Sequence, residues 1–153
     1  MDIRTASVSD REWVLEAARR TMGSEHQVHS RRQFRIDEQE LLVAEVSGHR
    51  VGFLAWIVEG ADCEVLAVAT ERPRSGVGRA LMVEVDDIAR AHGCERLVLT
   101  TTDANTGAQA FYESIGFTLA QRLVGAVDEC RERWKPELPA HMHDELVYER
   151  PIA

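Results

Sequence analysis

The stretch Val68-Ala-Thr-Glu-Arg-Pro-Arg-Ser-Gly-Val-Gly-Arg-Ala-Leu81 decides the fold of this chain. An apolar run of strand-forming residues, Val65 to Val68, passes through a polar turn to Gly76-Val77-Gly78, and a strongly helical segment begins at once. Such a turn aims several backbone N–H groups, and the positive end of a helix dipole, at one point, and that point suits a phosphate. Glycine at 76 and 78 lets the backbone approach an anion with no Cβ in the way. A dinucleotide turn is excluded because Leu81 stands where its third glycine belongs, and a nucleoside-triphosphate loop because no Gly-Lys-Ser/Thr follows. Taken alone, the turn is read equally well as an anion site or as a structural joint.

Working outward, Val77 to His92 reads as a helix closed by Gly93, with Val77, Leu81, Val85, Ile88 and His92 on one face and Arg79, Asp86 and Arg90 on the other. Arg96 to Thr102 is a strand. Strand, crossover helix and strand imply a parallel pair with a right-handed connection. Before the turn, Glu40–Val46, Val51–Val58 and Cys63–Ala69 are strands joined by short turns at Ser47–Arg50 and Glu59–Asp62, which makes an antiparallel meander. After it come a helix from Asn105 to Ile115, a strand from Phe117 to Val124, a helix from Ala126 to Lys135 and a last strand from Glu145 to Arg150.

At the N-terminal end, Asp2 to Ala6 is a short strand. Ser9-Asp-Arg-Glu12 has the form of a capping box for a helix that Gly23 ends. Residues 24–39 are polar, with Val28, Phe34 and Ile36 as the available anchors, and are expected to form a mobile loop or a short helix. The expected class is a mixed α/β chain, residues 1–153 forming one domain.

Composition narrows the function. A net charge of −8 argues against nucleic acid or an anionic membrane as partner. No apolar run approaches the roughly 20 residues that span a bilayer, and Met1-Asp-Ile-Arg-Thr5 lacks the layout of a signal peptide, so a cytoplasmic location is expected. Cys63, Cys94 and Cys130 show no CxxC spacing and read as small buried hydrophobes; no metal site is expected.

A second motif resolves the first. Asn105-x-x-Ala108-x-x-Phe111-Tyr112-x-x-x-Gly116-Phe117, one strand after Arg74-x-Gly76-x-Gly78, closely resembles the GNAT superfamily of N-acetyltransferases from the first strand to the last. The resemblance implies an acetyl-CoA-dependent enzyme whose central sheet is splayed between its fourth and fifth strands, with the pantetheine arm in the splay and the pyrophosphate on the turn. It assigns the pyrophosphate to the backbone of Ser75, Gly76, Val77, Gly78 and Arg79, with charge from Arg74 and Arg79. It also places Ala108 and Phe111 beside the cofactor, Asn105 as helix cap and contact to the pantetheine arm, and Tyr112 near the sulfur as proton donor to the leaving thiolate. A backbone N–H near Leu66, Ala67 and Val68 is expected to polarise the thioester carbonyl.

The implied reaction is direct attack of a neutral primary amine, expected to belong to a small molecule, in a ternary complex. Glu64 is the first candidate to take the amine's proton. By strict alternation it shares a side with Leu66 and Val68, and that side is read either as the cleft or as the solvent face. His141 and His143, before the last strand, are candidates for substrate contact. The pattern departs from the family at Pro73, where Arg or Gln is usual, so the turn loses a backbone donor. Two alternatives stay open, a non-catalytic acyl-CoA-binding module and an enzyme acting on a protein or peptide amine. Dimers are common in the family, so a homodimer is a further expectation.

Overall fold

The structure, a computed structural model, describes residues 1–24, 26–29 and 32–152, with the backbone alone at 26, 28 and 29. In chain order the elements are β1 (Asp2–Thr5), α1 (Val8–Met22), β2 (His26–His29), β3 (Arg32–Arg35), β4 (Glu40–Val46), β5 (His49–Glu59), β6 (Asp62–Thr70), α2 (Val77–Ala91), β7 (Arg96–Thr102), α3 (Thr106–Ser114), β8 (Thr118–Leu123), α4 (Ala126–Arg133) and β9 (Glu145–Pro151). A seven-stranded sheet runs β1-β4-β5-β6-β7-β9-β8, and β2 pairs with β3 apart from it. Of the ladders in the large sheet, β6–β7 is parallel and the others are antiparallel.

Each face of the sheet buries its own core. Val14, Ala17 and Ala18 of α1 pack with Phe34, Ile36, Leu41, Val43 and Phe53 on one side. Val77, Leu81 and Val85 of α2 pack with Leu42, Leu54, Leu97, Leu99 and Tyr148 on the other. Leu81 and Val14 are fully buried, and each such side chain removed from water contributes about 1.5–3 kcal/mol. The three cysteines are buried free thiols, and burial pushes Cys63 up to about 12.

The register inside the sheet carries a bulge. Trp56 pairs with Val65 and Ala55 with Ala67, so Leu66 is an extra residue in β6. This corrects strict alternation. Glu64 lies opposite Ile57, and with Leu66 and Ala67 faces the α1 side, whereas Val68, opposite Leu54, returns to the α2 side. Glu64 and Val68 therefore do not share a face.

Three other expectations are corrected. The helix cap is Ser7, with Asp10 as its reciprocal partner, and not Ser9 with Glu12. The reason lies across the sheet: Asp10 is also gripped by Arg4 and, at 2.8 Å, by Arg50, so its carboxylate has a fixed place that exposed Glu12 lacks. Within 24–39, expected as a mobile loop or a short helix, residues 26–29 pair antiparallel with 32–35 and a single 3-10 turn follows at Ile36–Glu38, with Phe34 and Ile36 buried in the α1 core. Asp86 is buried rather than solvated. It accepts from Arg90 at 2.8 Å and from Arg150 of β9 at 2.9 Å, which ties α2 to the last strand. Among the described residues, no helix is long and apolar enough to cross a membrane.

Candidate active site

The turn between β6 and α2 is held from below. Glu71 donates its N–H to Val51 O at 2.8 Å, Thr70 Oγ1 donates to the same oxygen at 3.2 Å, and Arg72 N–H donates to Thr70 Oγ1 at 3.0 Å. Ser75 Oγ donates to Arg72 O. Two residues of the turn have left-handed backbone, Arg74 with φ 61° and Gly76 with φ 84°. Glycine adopts that conformation freely; arginine pays about 1–2 kcal/mol for it, so the shape of the turn is maintained against local preference. Gly76 is the N-cap of α2 and makes no side-chain cap bond. The first N–H groups of the helix thus lack a capping side chain among the described residues, and a Cβ on Gly76 would meet nothing within 4 Å. Open space before an uncapped helix start fits the phosphates of coenzyme A.

Along this turn runs a cavity of about 620 Å³ whose wall includes Arg72, Pro73, Arg74, Ser75, Gly76, Val77, Gly78 and Arg79 on one side and Gly107, Ala108, Phe111 and Tyr112 of α3 on the other. A second cavity, of about 570 Å³, is lined by Thr21 and Met22 at the end of α1, Gln27 of β2, β6 from Val65, β7 from Leu99, and the α4 region. The β6–β7 ladder runs from Asp62↔Arg96 to Val65↔Leu99, and the second cavity begins where that ladder ends. Val68, Ala69, Thr70 and Tyr112 belong to both walls.

Tyr112 is set by its neighbours. Its ring centroid lies 5.5 Å from Phe111, 5.9 Å from Phe117 and 6.2 Å from Tyr148. Burial pushes its hydroxyl up to about 12, so it keeps its proton at any physiological pH. Asn105 is the N-cap of α3, its Oδ1 accepting from Ala108 N–H at 3.1 Å. It lines the second cavity, while Ala108 and Phe111 line the first. Leu66 and Ala67 also line the second cavity alone.

Three sequence candidates lie elsewhere. Glu64 is on the wall of neither cavity; Arg32 of β3 stands 3.5 Å away. Burial raises its carboxyl, and Arg32 partly offsets this. His143 is exposed and binds Asp128 of α4 at 3.0 Å, while its N–H donates to Asp103 at 3.1 Å. It is a fastener between α4 and the loops, and its exposed neighbour His141 is likewise off the cavity walls. From the same loop, Leu138 and Met142 reach the second cavity instead. So does Glu145, which is 2% exposed. In the sequence it reads as the outward member of a strand alternating with Leu146 and Tyr148, and no local signal marks it.

Comparison with known proteins agrees with this geometry. Residues 9–117 match the model of the acetyltransferase (GNAT) family. The chain is 32% identical over 126 residues to the Bacillus subtilis (strain 168) protein named "Uncharacterized protein YdhI", covering 78% of each chain. The fold is shared with a Bacillus subtilis acetyltransferase solved in complex with CoA, at TM-score 0.77 and 12% identity, over 99% of this chain and 98% of the other. It is shared too with the ribosomal-protein-S18-alanine N-acetyltransferase of Escherichia coli, at TM-score 0.74 and 19% identity, over 99% and 94%. An uncapped glycine turn, a tyrosine common to two cavities and a family match across most of the chain converge, and the chain belongs to the GNAT family of acetyltransferases.

Proposed function

We propose that the protein transfers an acetyl group from acetyl-CoA to the amine of a small molecule, with both substrates bound at once. The observation that carries this reading is the shared wall: the cavity along the phosphate turn and the cavity above β7 meet at Val68, Ala69, Thr70 and Tyr112. A donor lying in one and an acceptor in the other come together at the tyrosine. Each is within the roughly 300–1,000 Å³ of small-molecule sites, and Gln27 of β2 lines the acceptor side, which favours a compact acceptor over an extended peptide.

When bound, acetyl-CoA supplies the activated acetyl thioester. The backbone of Ser75 to Arg79 holds the pyrophosphate, with Arg74 and Arg79 lending charge. Asn105 uses Oδ1 in its cap, so contact with the pantetheine arm falls to its Nδ2 group. A backbone N–H of Leu66, Ala67 or Val68, beyond the end of the β6–β7 ladder, polarises the carbonyl. Tyr112 Oη donates a hydrogen bond to the departing sulfur. Its hydroxyl at about 12 is a weaker acid than a thiol near 8.5, so Tyr112 would stabilise the departing thiolate through that hydrogen bond and keep its own proton. Glu64, on neither cavity wall and 3.5 Å from Arg32, would take the amine's proton only through intervening water.

The test is release of free thiol from acetyl-CoA across a panel of small amines and peptides. Turnover with at least one small amine and none with peptides supports the reading; the reverse pattern assigns a protein acceptor. Pro73, which removes one N–H from the phosphate turn, favours a second reading, an acyl-CoA-binding module without catalysis, and binding without any turnover would establish it.

A further inference from the structure

This inference rests on the reading that Tyr112 stands at the coenzyme's sulfur. The helix that carries it, α3, has no fully buried residue, so little apolar packing fixes its place and polar ties must set it. Gln109 Nε2 holds its first turns, donating to Thr102 O at 3.0 Å and to Asp103 O at 3.2 Å. Two side chains of β9 hold its other end. Tyr148 Oη donates to Glu113 Oε1 at 3.2 Å. Arg150 Nη1 donates to Ile115 O, at the C-cap of α3, at 2.9 Å, and the guanidinium carbon lies 5.1 Å from the centre of the Phe117 ring.

Ile115 and Phe117 are the residues to which Tyr112 is itself bonded. The Tyr112 carbonyl accepts from Ile115 N–H at 3.2 Å and from Phe117 N–H at 3.0 Å, and the Tyr112 and Phe117 ring centroids are 5.9 Å apart. Gly116, between them, leaves the passage open: a Cβ there would stand 3.3 Å from Arg150 Cδ. The other arm of the guanidinium is fixed on α2, where Nη2 donates to Asp86 Oδ1 at 2.9 Å. Arg150 Nε is buried and meets no acceptor among the described residues, so these two bonds and one ring set the direction of the fork. A planar guanidinium serves two oxygens in fixed directions, and the compact ammonium of lysine offers no such fork. We propose that Arg150 is a positioning residue of the transfer: it ties the helix carrying Tyr112 to the helix that begins at the phosphate turn, and so holds the Tyr112 hydroxyl against the coenzyme's sulfur.

The test reads the thiol of bound CoA and needs no acceptor. The full chain is saturated with CoA, and the thiol is titrated by the ultraviolet absorbance of its thiolate against the protein alone. A hydrogen bond from Tyr112 favours the thiolate, so Tyr112→Phe is expected to raise the midpoint by about one pH unit, the size of one hydrogen bond to a charged group. Arg150→Lys keeps the charge beside Asp86 and removes the fork. It is expected to raise the midpoint by at least half as much, with CoA affinity within about threefold of wild type, and to add nothing in a Tyr112→Phe background. A side chain that served the fold alone would lower the unfolding midpoint in urea and leave the thiol unmoved. An unmoved thiol in Arg150→Lys, an undiminished Arg150→Lys shift without the Tyr112 hydroxyl, or no shift in Tyr112→Phe overturns the proposal. If Arg150→Lys does not bind CoA, the paired change Arg150→Gln with Asp86→Asn, which strands no buried carboxylate, decides by the same criteria. The expected shifts without acetyl transfer to any amine leave this inference standing and defeat the transferase reading; transfer to amines with an unmoved Arg150→Lys midpoint does the opposite.

Discussion

Gly78 and Phe111 touch: a Cβ built on Gly78 would stand 3.3 Å from Phe111 Cζ. The two recognition motifs, some thirty residues apart in sequence, are therefore in contact, and the glycine admits the ring of α3 to the first turn of α2. Gly78→Val forces a branched side chain against that ring. The expected outcome is a loss of about 1–3 kcal/mol in urea unfolding and weaker acetyl-CoA binding, with Phe111→Leu in the same protein recovering part of both. Independent, additive effects of the two changes would show that the contact does not matter.

Tyr112→Phe removes the hydroxyl and keeps the ring among Phe111, Phe117 and Tyr148. Turnover is expected to fall by roughly a hundredfold or more, with acetyl-CoA affinity within twofold of wild type. Because burial holds the hydroxyl at about 12, its ionisation contributes no alkaline loss of activity below about pH 11. Unchanged turnover in the phenylalanine variant removes Tyr112 from the mechanism.

Pro73 lies exposed on the wall of the cavity along the β6–α2 turn, between Arg72 and Arg74. Pro73→Arg restores a backbone N–H and adds a guanidinium beside the expected pyrophosphate. Titration calorimetry should show acetyl-CoA bound about three- to tenfold more tightly. No gain would mean that the flanking arginines already supply what the proline lacks.

Asp10 is held well below the usual carboxylate range, first by Arg4, then by Ser7 and Arg50 against the opposing effect of burial. A depressed carboxyl contributes stability above its unfolded value, near 3.9, and loses it as pH falls below that value. Asp10→Asn is expected to cost about 2–4 kcal/mol at pH 7. Its unfolding free energy should fall less steeply than that of the wild type between pH 5 and about 2. Parallel curves for the two proteins would remove Asp10 as the source of the acid sensitivity.

Glu64→Gln separates two roles for one residue. As a partner of Arg32 it fastens the β2–β3 pair beside the second cavity, and its loss should raise the KM for the amine a few-fold with the pH profile unmoved. As a base acting through water, its loss should lower kcat and displace the acid limb of the profile. The ion pair at 3.5 Å favours the first outcome.

Most of the fold was legible because its signals are local. The strand bounds at Glu40–Val46 and Arg96–Thr102 and the cap at Asn105 follow from alternation and from one side chain serving one helix end. What escaped is set by distant partners. Asp86 reads as a surface acid until Arg150, sixty-four residues on, is seen to hold it. Ser7 rather than Ser9 begins α1 because Arg4 and Arg50 fix Asp10. The strand pair 26–29 and 32–35 is polar outside its anchors, and its pairing leaves no periodic trace. In the candidate site the turn before α2 was readable because backbone geometry writes glycines into the sequence. The second cavity was not, because Leu138, Met142 and Glu145 acquire meaning only by converging on it.

The extra residue at Leu66 has a consequence for how this strand can change. β6 is two short strands of opposite phase spliced end to end: the first half is keyed to the cores beneath it, and the second half supplies the wall common to both cavities. Losing one residue at the splice would leave composition and length almost untouched, yet turn every later side chain through to the opposite face. The turn at Ser47–Gly48 has room to absorb an insertion; the splice has none. Along this strand, length is a stricter constraint than the choice of any single side chain.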